Sequence, residues 1–387
     1  MSKTETTPRQ NDATTVVERL EHPMAMYQIL IGVTAILLCS GVVWVASASS
    51  IYAYTSTGSE WAIVQKQAMF AVLGVGVMSW ASRVNITFLR RISPYFLMSV
   101  VFALALVLVI GTSVYGQKNW IAIGSFRLQP SEFAKLALIL WSADHFARRE
   151  GQLHIRSRLL NQYGIVAGTI LGLVVLEDDL GTAMVMMPIV AGMLFFVGAP
   201  AKWFGYFIGL ALTAIIGLSI AEPYRMERFA SWLNPASDPS GAGFQVLHGQ
   251  RALGSGGWLG VGLGASREKW GTLPEAHTDF IYAVIGEEGG IFCTLLVLAL
   301  FVAIILIGIR IANTSPDRFV QLASLGIVTW ITTQVLVNIG AVLGILPVTG
   351  VPLPLVSYGG SSLIPTLCAL GILMRFARLH AVQATKE

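Results

Sequence analysis

The run DFIYAVIGEEGGIFCTLLVLALFVAIILIGIR occupies residues 279–310, and past Glu288 it carries no charge until Arg310. A hydrocarbon core of about 30 Å takes about 20 apolar residues of helix. This run is therefore long enough to cross a bilayer, with length to spare for tilting or extending beyond it. Working outward by the same measure, further spans fall near 27–49, 62–81, 93–112, 131–147, 162–176, 181–198, 204–221, 319–345 and 361–379. The expected fold class is an all-α polytopic membrane protein of ten transmembrane helices with one large extracytoplasmic loop, 222–278.

Composition points the same way. Of 387 residues only 12% are charged, where soluble proteins carry about 25%. The apolar set makes up 55%, with 39 glycines besides, and mean hydropathy is +0.69. So few charges cannot build a water-facing surface, which excludes a soluble enzyme, a disordered regulator and a nucleic-acid binder. Cys39, Cys293 and Cys368 lie in apolar runs with no C-x-x-C pair; they are expected to be small buried apolar residues without disulfide or metal.

Residues 1–24 are polar and read as a disordered cytoplasmic tail, 25–380 as the membrane domain and 381–387 as a short cytoplasmic tail. No charged n-region leads into a cleavage site, so the first apolar run is expected to remain as an anchor. With the N-terminus inside, sixteen of the 25 Lys and Arg residues fall on inner segments, and both termini are expected to be cytoplasmic. The outer side then holds 113–130, with Trp120 and Phe126 at interfacial depth, the loop 222–278, and LPVTGVPLPLVSYGG at 346–360. The last is apolar yet too rich in Pro and Gly for a helix. Irregular backbone beside a membrane survives only where protein buries it or it lines a cavity, so it should line or seal an outward-facing site.

Ionisable groups in a membrane are expensive, and each is a candidate for function. In Gln129-Pro130-Ser131-Glu132-Phe133-Ala134-Lys135 the acid and the base stand at i, i+3 and can pair; the pair either holds the helix or faces a substrate. Glu177-Asp178-Asp179 precedes a helix start, where carboxylates cap and favour the dipole or attract a cation. Gly254–Gly264 holds six glycines but no P-loop and no dinucleotide fingerprint, so it reads as backbone packed close to the membrane with Trp258 as an anchor. Glu275, His277 and Asp279 cluster at the mouth of the long helix. Asp279, Ala283, Gly286 and Gly290 share one face, small enough for a substrate or a close neighbour. Asp279 is a helix cap or a catalytic acid–base group; His277 reads as structural.

Four ordered blocks carry a resemblance: QPSEFAKL at 129–136, DLGT at 179–182, GGWLGVGLG through LPEAHTDFIYAVIGEE at 256–288, and LPVTGVPLPLVSYGGSS at 346–362. Over residues 27–380 the chain resembles the SEDS family (shape, elongation, division and sporulation), the FtsW/RodA peptidoglycan glycosyltransferases. IGEE and the Ala46-Ser47-Ala48-Ser49 stretch resemble the division branch, FtsW, more than the elongation branch, RodA. The resemblance implies a polymerase of lipid II, the undecaprenyl-diphosphate-linked disaccharide-pentapeptide, at the outer face of the bacterial cytoplasmic membrane and at the division septum. It places the essential acid, a general base, on Asp279. It places the paired Glu and Lys on Glu132 and Lys135 and an outer-loop Trp on Trp120, and with Lys118, His277 and Glu275 these are the candidate substrate-binding residues. It implies no required cofactor, although a divalent cation (Mg2+ or Mn2+) can serve the leaving diphosphate. The implied partners are lipid II, membrane lipid, a class B penicillin-binding protein (a transpeptidase) and other division proteins.

The chain departs from the family pattern in three places. Lys118-Asn119 precedes Trp120 where many relatives have an arginine next to the Trp; Glu177-Asp178 replaces the usual Gln-Pro; and Gly289 stands where Leu is usual, which loosens the helix after Glu288. Two other functions fit ten helices with buried charge: a lipid II flippase or transporter, expected to show inverted repeats and broken helices at the midplane, and a scaffold for division partners. Cross-linking is expected to belong to another protein.

Overall fold

The computed structural model describes residues 24–114, 117–124, 126–149, 156–209, 213, 232–237, 241, 243–270 and 273–384. The tail before Met24, most of the expected span 204–221, the loop start with Arg225-Met226-Glu227-Arg228, and residues 385–387 lie outside them. The described helices are α1 (Ala25–Thr57), α2 (Ala62–Ala81), α3 (Ile86–Ile110), α4 (Pro130–Ala147), α5 (Arg156–Leu176), α6 (Leu180–Phe196), α7 (Phe244–Gly256), α8 (Ile281–Thr314), α9 (Arg318–Val342) and α10 (Gly360–Ala384). Residues 201–209 are also helical, where the seventh expected span begins.

Six of these helices, α1, α2, α3, α8, α9 and the Gly360–Leu379 part of α10, are long and apolar enough to cross a membrane. The apolar parts of α5 and α6 are shorter, as their sequence runs were. The chain thus forms a mostly helical membrane bundle. Helix boundaries follow local chemistry. The α1 helix stops at Gly58, whose φ of 76° lets its N–H reach back to Tyr54 O at 2.9 Å. Pro130 begins α4, where its missing N–H costs nothing.

Position in the bundle explains where the charges sit. The outward faces of α1, α2, α3 and α8 expose Ile36, Val72, Phe102 and Leu306, as lipid-facing surfaces do. The α4 helix is buried along most of its length and packs on α3 and α9, so Glu132, Lys135, Asp144 and His145 all lie inside protein. Glycine permits the closest approaches: a Cβ at Gly371 of α10 would overlap Met78 O of α2. Cys293 and Cys368 are half-buried and all three thiols are free, but Cys39 is exposed. The expectation of three buried cysteines therefore fails for Cys39, which lies on the outward face of α1.

The first outer stretch is more ordered than its sequence suggests. Strands β1 (Thr112–Val114), β2 (Gln117–Ile123) and β3 (Phe126–Leu128) form an antiparallel meander in the order β1-β2-β3. Trp120 pairs with Thr112, and Ile121 with Leu128. This short sheet ends two residues before Pro130 and so delivers the chain directly into α4.

Candidate active site

Asp279 lies in the series of turns that leads into α8. The N-cap position of α8 is Phe280, the residue directly after Asp279. Its backbone carbonyl accepts a hydrogen bond from Asn338 Nδ2 at 2.8 Å. Its carboxylate faces Gly350, where a Cβ would stand 3.6 Å from Oδ2. Gly350 has φ 74°, a conformation other side chains resist, so glycine leaves room beside the acid. Asp279 itself is half-buried.

The two neighbours singled out with it have structural work. Glu275 adopts φ 54°; its carbonyl accepts from Thr278 N at 3.1 Å and Phe280 N at 3.2 Å, and its Oε2 from Thr278 Oγ1 at 2.7 Å. It builds the turn that presents Asp279. His277 is buried against Tyr52 on one side (ring centroids 5.2 Å apart) and Tyr358 on the other (5.7 Å). Burial lowers its pKa, with the Glu275 carboxylate acting in the opposite direction, so the ring is neutral at pH 7.

Glu132 and Lys135 meet as their spacing requires. Lys135 Nζ donates to Glu132 Oε1 at 2.8 Å and to Gln334 Oε1 at 3.1 Å, and lies 5.2 Å from the centre of the Trp330 ring. Lys135 is fully buried, and its ion pair with Glu132 lies inside the protein. Asp179 caps α6 by accepting from Thr182 N at 3.0 Å, and also accepts from Gln129 Nε2 at 2.7 Å and Ser131 Oγ at 2.8 Å. The α4 and α6 helices thereby begin together. Ser361, at the start of α10, joins them: it donates to Arg127 O and accepts from Gln129 N.

The irregular stretch 346–360 is buried by protein, as expected, with Val351, Leu353, Leu355 and Val356 in the core. Thr349 O presses on Gly181 so closely that a Cβ there would overlap it. Ser357 Oγ donates to Thr278 O at 2.6 Å. The motifs at 129–136, 179–182, 273–288 and 346–362 therefore converge at one end of the bundle.

Lys118 and Trp120 sit apart from this convergence in their contacts. Lys118 Nζ donates to Leu108 O at 2.7 Å and so closes the end of α3. Trp120 is half-buried on β2, its carbonyl accepting from Thr112 Oγ1. Sequence reasoning missed Gln334 and Asn338. The signal was there, two amides four residues apart in the apolar run 319–345, but no partner is visible from α9 alone.

The small face of α8 is occupied by a neighbour, not left open for substrate. A Cβ on Gly260 would overlap Glu288 O, and Val261 N and Gly262 N donate to Glu287 O and Glu288 O. Gly290, φ 68°, breaks the helix there. The glycine-rich segment is thus packed backbone to backbone against α8, and Trp258 is exposed. The break falls at Gly290, directly after the Gly289 departure.

Among the described residues no group of three or more His, Cys, Asp or Glu side chains has the geometry to hold a metal ion.

The model of the cell cycle protein family FtsW, RodA and SpoVE matches residues 27–381. Stage V sporulation protein E of Bacillus subtilis is 38% identical over 90% of this chain and 96% of its own. The probable peptidoglycan glycosyltransferase FtsW of Aliivibrio salmonicida is 37% identical over 93% and 94%. Among solved structures, a chain of a peptidoglycan synthase complex that coordinates polymerization and crosslinking aligns with TM-score 0.72 at 27% identity, over 91% of this chain and 97% of that one. The rod shape determining protein RodA of Thermus thermophilus aligns with TM-score 0.68 at 27% identity, over 90% and 95%.

Proposed function

We propose a function from the premise that this chain belongs to the cell cycle protein family of FtsW, RodA and SpoVE: it is a peptidoglycan glycosyltransferase that polymerises lipid II at the outer face of the cytoplasmic membrane. One observation carries the mechanism. Asp279 stands at the mouth of α8, with its backbone pinned by Asn338 and glycine beside its carboxylate.

In the reaction, the 4-hydroxyl of an acceptor GlcNAc attacks the anomeric carbon of the donor MurNAc. A C–O bond forms as the bond to the lipid diphosphate breaks, and the hydroxyl proton passes to the Asp279 carboxylate. The undecaprenyl diphosphate leaves with its charge, which cations stabilise. Arg127, Arg251 and Arg267 are exposed on the outer segments and suited to that role. Lys135, enclosed between α4 and α9, organises the floor of the site in this conformation. The diphosphate bond supplies the driving force, so no nucleotide is needed. A divalent ion, Mg2+ or Mn2+, belongs in this scheme only with ligands from the substrate diphosphate.

Both termini are cytoplasmic in this reading, and the septum is the site of action, with other division proteins alongside. The partner is a class B penicillin-binding protein that cross-links the strands. Support comes from the FtsW relatives and from the likeness to a chain of a synthase complex. The test supplies purified protein with lipid II, with and without such a transpeptidase, and resolves the glycan products. Ladders are expected, and Asp279→Asn is expected to remove them. Ladders unchanged in Asp279→Asn refute the base; lipid II translocation in vesicles without any polymer points to a flippase.

A further inference from the structure

We propose that Asn338 and Gln334, one turn apart on α9, are positioning residues that together hold the Asp279 backbone and the wall beside its carboxylate over the buried Lys135. The inference rests on the reading of Asp279 as the base.

Asn338 Nδ2 donates to two backbone carbonyls, Asp279 O and Val351 O, each at 2.8 Å. Gln334 Nε2 donates to the next carbonyl along, Pro352 O, at 2.9 Å. Gln334 Oε1 accepts from Lys135 Nζ at 3.1 Å and Trp330 Nε1 at 2.6 Å. Both amide orientations follow from their partners. Backbone carbonyls only accept, and lysine and indole nitrogens only donate.

None of the three carbonyls belongs to a helix or strand. Each must find a donor elsewhere or stand unpaired in a protein interior, and the α9 amides supply it. Val351 directly follows Gly350, the residue that faces Asp279 Oδ2. The amide of Asn338 therefore grips the acid from behind through its own carbonyl and from in front through the Gly350 segment. Gln334 extends the grip to Lys135, so one face of α9 sets the spacing between the ammonium and the carboxylate. Asn338 Oδ1 is buried without a partner among the described residues. The side chain does donor work only, at a position where an apolar residue would suit a membrane helix better.

A base displaced by about 1 Å loses on the order of a hundredfold in rate while its substrate still binds. The test uses the full chain with its transpeptidase partner and lipid II, and compares Asn338→Leu, Gln334→Met and the double variant. Asn338→Leu is expected to lower kcat about a hundredfold with KM within about threefold of wild type. The double variant should lose little more than Asn338→Leu, because both amides hold one unit. Wild-type kcat in folded Asn338→Leu, or a loss confined to KM, overturns the proposal.

If Asn338→Leu fails to fold, Gln334→Met decides, since it leaves the Asp279 and Val351 carbonyls held and releases Pro352, Lys135 and Trp330; about a tenfold fall in kcat at constant KM is expected, and unchanged kcat refutes the clamp. Asp279→Asn run in parallel separates the two readings. If that variant is active, the base assignment falls. If it is inactive while the α9 variants behave as wild type, only the clamp falls.

Discussion

Lys269 Nζ lies 3.1 Å from Glu288 Oε1, and both side chains are buried. Ser47 of α1 donates to both oxygens of Glu288 at 2.7 Å and accepts from Lys269. Ser266 Oγ and Arg267 N serve Glu287 in the same way, at 2.5 and 2.8 Å. Two acids one after the other on α8 thus find the returning outer segment and α1 at once. The pair ties three elements together around the break at Gly290.

Removing one partner of a buried pair leaves the other charge uncompensated, at a cost of about 3–5 kcal/mol. Lys269→Met is therefore expected to lower thermal stability in detergent strongly. Adding Glu288→Gln should recover part of that loss, because the orphaned charge goes with it. A melting temperature unchanged in Lys269→Met contradicts the pair.

Gly260→Ala places a methyl group against Glu288 O at a backbone φ of 77°. Neither backbone can yield cheaply, and the expected cost exceeds about 2 kcal/mol. Gly262, with φ 102° but open space around it, is the control: Gly262→Ala should suffer only the conformational cost of a positive φ, about 1–2 kcal/mol, which Gly260→Ala bears in addition to its overlap. Thermal melts of the two variants side by side read the difference.

Asp179→Ala removes the α6 cap and the acceptor for Gln129 and Ser131. A lost cap costs about 1 kcal/mol and a stranded buried donor about 1–3 more. Asp179→Asn keeps a carbonyl oxygen and should retain roughly half of the loss. Melting temperatures for the two variants should fall in that order, and equal melting with wild type refutes the shared-acceptor role.

Glu177 lies in the turn between α5 and α6, fully buried, with neither carboxylate oxygen partnered among the described residues. Burial, reinforced by the Asp179 charge, pushes its carboxyl from the ordinary 4.5 up to about 9. The folded protein therefore holds this proton more tightly than the unfolded chain does. Its contribution to stability is complete below about pH 4.5 and drains away as pH rises to about 9, at up to about 1.4 kcal/mol per pH unit. Glu177→Gln removes the titration. Its melting temperature relative to wild type should climb steadily from pH 5 to pH 8, and a difference independent of pH refutes the assignment.

Much of the candidate site was legible because its chemistry is local. Glu132 and Lys135 are three residues apart on one helix, and Asp179 precedes a helix start; both relations follow from helical geometry alone. The burial of 346–360 followed from the rule that irregular backbone beside lipid needs protein around it. The resemblance supplied Asp279. What stayed hidden were relations between distant segments. The bond from Lys118 to the end of α3 could not be read from its own segment, and Asn338 looked like one polar residue in an apolar run until Asp279 and Val351 met on it. The turn at Asp178 is another case. Its φ of 60° is closed to proline, a relation that only the folded backbone reveals.

By itself the sequence determined that this protein lives in a membrane, because a chain with 12% charged residues and apolar runs of helical length has no other solvent. It also determined which few ionisable groups to consider, since each one in such a chain carries a desolvation cost. Only the tertiary structure decided how they divide their roles. Lys135, Lys269 and Glu288 are enclosed and paired, because neighbouring helices bring partners that lie far away along the chain. Asp279 is left at the rim with its backbone held by α9, because the turn built on Glu275 and the glycine at 350 place it there.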